Sequence, residues 1–106
     1  MRREAAVAPL FAALGDETRL RIVSRLSRQG SQSISELCDV ADVSRQAITK
    51  HLNVLCDVGM IVGERVGRER RFTMRPERIQ DAREHLQRIS AQWDAALDRL
   101  RAMVEE

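Results

Sequence analysis

Apolar positions first recur at helical spacing in Val7, Leu10, Phe11 and Leu14, and Gly15 ends the run, which predicts a short helix over 7–14. Asp16 then stands where an N-cap accepts hydrogen bonds from unpaired amides. Leu20, Ile22, Val23 and Leu26 give residues 17–28 a buried stripe that stops before Gly30. Ser33 precedes Glu36 by three positions, the spacing of a capping box, although Ser35 would also serve as the cap. Leu37, Cys38 and Val40 or Ala41 supply the apolar face of a helix over roughly residues 35–41. Asp42 and Val43 leave room for only a tight connection before Ser44, which caps the next helix, SRQAITKHLNVLCDV, over 44–58 until Gly59. Two helices joined by so short a turn, residues 35–58, form a helix-turn-helix.

That second helix is divided lengthwise. Ile48, Leu52 and Leu55 fall at i, i+4 and i+7, while Gln46, Thr49, Lys50 and Asn53 follow helical spacing on nearly the opposite side. After Gly59 the period changes to two. In IVGERVGRERRFTM, Val62 and Val66, then Phe72 and Met74, alternate with polar residues around Gly67-Arg68-Glu69. This predicts a β-hairpin over 61–74 with arginines at its tip and outer face. Pro76 opens a last helix where its missing amide proton costs nothing. Ile79, Ala82, Leu86, Ile89, Trp93, Leu97, Leu100 and Val104 continue the stripe to about residue 104. Such a helix is roughly 40 Å long, more than a small core covers, and its simplest partner is the same helix of a second copy.

The fold class is therefore mainly α with a small β-hairpin (α+β), in one domain spanning 1–106. With 106 residues, 43% hydrophobic, the chain has material for one modest core. The opening apolar patch is short and is followed at once by Asp16, Glu17 and Arg19, which fits neither a signal peptide nor a membrane span. Cys38 and Cys56 have no CxxC spacing and read as reduced thiols. Together these features predict a cytoplasmic protein with no membrane association.

Charge changes the picture once it is divided along the chain. Residues 1–43 hold six basic and six acidic side chains, 44–75 hold seven and three, and 76–106 hold five and seven. The excess is confined to the middle segment, as expected of a surface that meets phosphates. An α-helix fits the major groove of double-stranded DNA. Arg45, Gln46, Thr49, Lys50 and His51 carry donors and acceptors that can read base edges or hold phosphates, with Ser44 at the helix start. Arg65, Arg68, Arg70 and Arg71 give the hairpin a cationic surface for the backbone or the minor groove. His51 also borders the apolar stripe, where a half-buried structural histidine is the competing reading. No Gly-rich phosphate loop, HExxH or GxSxG occurs, so neither catalysis nor a cofactor is expected.

The runs LFAALGDETRLRIVSRL, ISELCDVADVSRQAITKHLNVLCDVGMI and GRERRFTM resemble the ArsR family of bacterial winged helix-turn-helix repressors, and the resemblance extends over residues 8–75. It implies a recognition helix at 44–58, a wing at 61–74 and a homodimer joined by first and last helices. Leu10, Phe11, Leu86, Ile89, Trp93, Leu97 and Leu100 would then face the partner, and repression would follow from operator occupancy. The tail is similar to a branch not known chiefly for metal sensing. Metal-sensing relatives commonly carry ELCxC; here ELCDV keeps Cys38 but has Val40 at the second thiol position. A second family site, on the last helix, also lacks residues, since Arg83 follows Asp81 and His85 is the helix's sole histidine. No metal is therefore expected. Cys38 reads as a small buried side chain and Cys56 as a thiol at the edge of the core, with oxidation sensing at Cys56 the rival. Trp93 reads as packing, with the lining of a small-molecule effector pocket as its alternative. A further rival is a protein-docking module that uses the last helix and leaves DNA alone.

Overall fold

A computed structural model describes residues 3–105, with side chains described from residue 7 onward. In chain order the elements are α1 (Arg3–Leu14), α2 (Glu17–Gln29), β1 (Gln32–Ser33), α3 (Ile34–Leu37), α4 (Arg45–Asp57), β2 (Ile61–Val66), β3 (Glu69–Met74) and α5 (Pro76–Glu105). Three helix starts follow the polar residues that precede them. Asp16 accepts from the Arg19 amide at 3.0 Å, Ser33 from the Glu36 amide at 3.1 Å, and Ser44 from the Ala47 amide at 3.1 Å. At α3 the capping box closes, because Glu36 reaches back to the Ser33 amide at 2.9 Å. This settles the cap as Ser33 rather than Ser35, and α3 is correspondingly shorter and earlier than the helix expected at 35–41.

The core is assembled from every element of the head. Leu10 of α1, Ile22 of α2, Leu37 of α3, and Ile48, Leu52 and Leu55 of α4 are fully buried, together with Met60, Ile61 and Phe72. Side chains recurring every three or four residues leave these helices one dry face each, and the sheet closes the remaining side. The strand order is β1-β3-β2, antiparallel throughout. β1 pairs Gln32 with Phe72 and Ser33 with Arg71, so the hairpin expected from sequence carries a third short strand. Across β2 and β3, Ile61 faces Met74 and Gly63 faces Phe72. Ile61 thus points into the core while Val62, 42% exposed, points out. That is a one-residue correction to the expected alternation, and it sends each side chain of β2 to the other face. The turn is the two residues Gly67 and Arg68, with Gly67 at φ 65°. A positive φ at the first central position is what a two-residue hairpin loop with this glycine demands.

Only the beginning of α5 belongs to this core, through Ala82 and the half-buried Ile79. Phe11 of α1 packs on His85 of α5, their ring centroids 5.9 Å apart. Beyond that contact the helix runs free, and the molecule reaches 67 Å along its long axis. Leu86, Trp93, Leu97, Leu100 and Met103 are all more than half exposed. Among the described residues no helix is long and apolar enough to cross a membrane.

Candidate nucleic-acid interface

α4 carries two kinds of surface because its buried and exposed residues interleave at helical spacing. With Ile48, Leu52 and Leu55 held in the core, Arg45, Gln46, Lys50 and Asn53 are exposed on the other side. Among the described residues, Gln46 and Lys50 spend no side-chain hydrogen bond within the chain, so their donors and acceptors are available to a ligand. The Thr49 hydroxyl donates to the Arg45 carbonyl at 3.0 Å, which leaves its oxygen lone pairs for an outside donor. The Arg45 guanidinium donates to the Ser35 hydroxyl at 3.0 Å. Ser44 is spent on capping, although its exposed position keeps it at the leading end of the helix.

His51 belongs to a different neighbourhood. It is half-buried on the side of α4 near Ile48 and Leu55, with its Nδ1 3.2 Å from an Arg19 guanidinium nitrogen and 3.8 Å from the Asp16 carboxylate. Arg19 is itself anchored by donating to the Ala13 carbonyl at 2.6 Å. This cluster ties α4 to the α1–α2 junction, the half-buried arrangement that the sequence offered for His51 as the alternative to a DNA contact. Asp16 is held below the ordinary carboxylate value, first by the Arg19 amide that it caps and further by the nearby His51 and Arg19.

The wing separates its arginines by register. Arg65 and Arg70 stand directly opposite each other, on the core-facing side of the sheet but beyond the core, both exposed. Arg70 lies over the Phe72 ring, its guanidinium carbon 5.0 Å from the centroid. Gly63 makes that stacking possible, because a Cβ there would come within 2.8 Å of Phe72 and 2.9 Å of Arg70. Arg68 occupies the exposed tip. Arg71 points to the opposite face and is engaged within the chain. It donates to the Ser31 hydroxyl at 2.8 Å and carbonyl at 2.9 Å, and it pairs with Glu69 at 2.9 Å and Glu36 at 3.1 Å. Glu69 and Glu36 raise its pKa, while Glu36 is held below its ordinary value chiefly by the Ser33 amide. Within the chain these contacts bind the wing to the start of α3 and set Arg71 apart from the other three wing arginines expected at the DNA surface.

A cleft of ≈ 260 Å³ lies between the start of α4 and the wing, lined in part by Ser35, Arg45, Arg68 and Arg70. Sequence reasoning found its three arginines but weighed Ser35 only as a cap. The signal for Ser35 lies in the tertiary approach of α3 to the wing, which no local pattern encodes. Cys56, half-buried beside Arg70, has its thiol pKa pushed up by burial, the opposite of what a reactive thiolate requires.

The residues expected to face a second copy differ in exposure. Leu10 has none of its surface exposed, being enclosed by its own chain. Phe11 is half-buried against α5. Trp93, by contrast, is 65% exposed.

A family model described as a helix-turn-helix domain matches residues 14–64. The arsenical resistance operon repressor of Escherichia coli strain K12 is 36% identical over 67 residues, which cover 63% of this chain and 57% of that protein. The HTH-type transcriptional regulator YuzN of Bacillus subtilis strain 168 is 40% identical over 68 residues, covering 58% of this chain and 73% of that one. An ArsR-like transcriptional regulator from Rhodococcus sp. RHA1 superposes with a TM-score of 0.80 at 41% identity, over 96% of this chain and 93% of its own. The homodimeric winged helix-turn-helix domain Mb0332 of Mycobacterium bovis shares the fold at 20% identity and a TM-score of 0.65. The polar face of α4, the cationic wing and these relatives agree: the chain belongs to the ArsR family of winged helix-turn-helix, DNA-binding transcriptional regulators.

Proposed function

We propose that the chain acts in the cytoplasm as a homodimeric repressor, occupying a palindromic operator with its two α4 helices in successive major grooves about 34 Å apart. Gln46 and Thr49 meet base edges, while Arg45, the third base-facing candidate of the sequence, turns with Ser35 toward the wing and the backbone. Ser44 and Lys50 lie where bases and phosphates are both in reach, and Arg65, Arg68 and Arg70 hold the backbone or the minor groove. The observation that carries this reading is the unspent polar face of α4 beside the Arg65–Arg70 pair. Like charges directly opposite on a sheet cost roughly 0.2–1 kcal/mol, a cost that an anionic ligand reverses. Dimerisation is supported by the exposed stripe of α5, since full burial of each large apolar side chain contributes about 1.5–3 kcal/mol. Leu86, Ile89, Trp93, Leu97 and Leu100 supply that contact, with Phe11 at its margin. Gel-shift titrations at two salt concentrations test the reading. Gln46→Ala relaxes sequence preference, whereas Arg65→Ala weakens all sequences alike and flattens the salt dependence by about 0.9 in slope for each lost phosphate contact. Full operator affinity in both variants would place the DNA surface elsewhere.

The docking-module rival leaves the unspent donors of α4 and the opposed arginines without a role. Thiol control through Cys56 has only the half-buried, proton-retaining thiol to act on.

A further inference from the structure

We infer that the cleft between the start of α4 and the wing tip is the seat of one backbone phosphodiester of the operator, held by Arg45, Arg68 and Arg70 with Ser35 as a fourth contact. The inference rests on the operator-binding reading above and deepens it. When a helix lies in a major groove and the adjoining hairpin reaches the neighbouring minor groove, the phosphodiester strand that separates the grooves must pass between them. In this chain the space between them is the cleft, and its walls come from both sides: Arg45 from α4, Arg68 and Arg70 from the wing.

The arginines are prepared for an anion in different ways. Arg70 is steadied over Phe72, and its position depends on the space that Gly63 leaves. Arg45 is oriented by its hydrogen bond to Ser35. Because Ser35 accepts in that bond, its own hydroxyl proton is left to donate to a phosphate oxygen. Arg68 makes no hydrogen bond or ion pair with other described residues and is free to fold over the strand. Glu69 also lines the cleft and would oppose an anion, but its carboxylate is paired with Arg71 at 2.9 Å. Arg71 therefore serves the seat indirectly: it ties up the one acid in the lining and fixes the wing against Glu36 and Ser31.

The probe is a duplex selected by the protein from a randomised pool, then remade with a single uncharged methylphosphonate linkage moved stepwise along each strand. For the wild type, one linkage per half-site, on the strand between the α4 and wing footprints, should cost about tenfold in affinity and lower the salt slope by about 0.9. Arg45→Ala and Arg68→Ala should each lose affinity on the unmodified duplex yet lose little more at that linkage, while Gln46→Ala should still show the full loss there. Ser35→Ala should show a smaller loss of the same kind. Thermal unfolding of the variants should match the wild type, since the altered side chains are exposed. Losses that multiply at every linkage, or a sensitive linkage coupled to none of these residues, would overturn the seat while leaving operator binding intact. If selection enriches no sequence, the operator-binding reading falls and the seat with it.

Discussion

α4 and the distal half of α5 are built on the same hydrophobic spacing and end in opposite circumstances. In α4, Ile48, Leu52 and Leu55 are wholly buried; in α5, Trp93, Leu97 and Leu100 are 65%, 55% and 55% exposed. Periodicity states that a face will be covered but not by what. The head finds its cover within the chain, from α1, α2, α3 and the sheet. The distal half of α5 extends past the described elements of the head, and its stripe is left exposed within the chain, the surface on which the proposed dimer would close. Polar surface differs in the same way. On α4 the outward side chains are mostly cationic or neutral donors left unspent, whereas on α5 acids and bases alternate around the exposed apolar stripe.

Substitutions on the two helices should therefore fail differently. Leu52→Ala opens a cavity in the core of the head and should destabilise the fold by about 2–5 kcal/mol, read as a lowered Tm with loss of DNA binding. Leu97→Asp should leave the head folded but convert the dimer to monomer in sedimentation velocity. Operator affinity should drop roughly a hundredfold, because an unpaired charge is costly to bury in an apolar contact. A Leu97→Asp protein that stayed dimeric would remove the tail from the assembly. Gln46→Ala should cost about 1–3 kcal/mol against the preferred base while leaving stability within about 0.5 kcal/mol.

Arg71→Ala sharpens the contrast within the wing itself. It should lower Tm through loss of the Ser31 and Glu36 contacts while preserving the salt slope of DNA binding, unlike Arg65→Ala. The smallest effect concerns pH. Asp16 and Glu36 have folded pKa values below their ordinary 3.8 and 4.5. The stability they contribute is present above those ordinary values and is lost as pH falls through the lower folded ones. Asp16→Asn and Glu36→Gln should each flatten the acid limb of a stability–pH profile and leave its neutral region parallel to the wild type.

What could be read from sequence was what is local. The caps at Asp16 and Ser44, the dry face of α4, the turn at Gly67 and the length of α5 all rest on residues a few positions apart. What escaped depends on distant partners. β1 is two residues long, too short to show any period, and exists because β3 supplies its pairing. The register that buries Ile61 instead of Val62 is set by where β2 leaves the end of α4: the Met60 amide donates to Leu55 and its carbonyl accepts from Arg75. Composition counted Arg71 with the other wing arginines and could not show its side of the strand or its contacts with Ser31 and Glu36. His51 and Leu10 likewise find their neighbours across the fold rather than along the helix.

The central claim is that the exposed face of α4 reads DNA sequence. Fluorescence anisotropy titration of the full chain, comparing the selected duplex with a scrambled duplex of equal length and composition, tests it most directly when repeated with Gln46→Ala. The wild type should prefer the selected duplex by at least about 10³-fold, and Gln46→Ala should lose much of that preference while keeping most of its affinity for scrambled DNA. Equal wild-type affinity for both duplexes, or an undiminished preference in the variant, would contradict it.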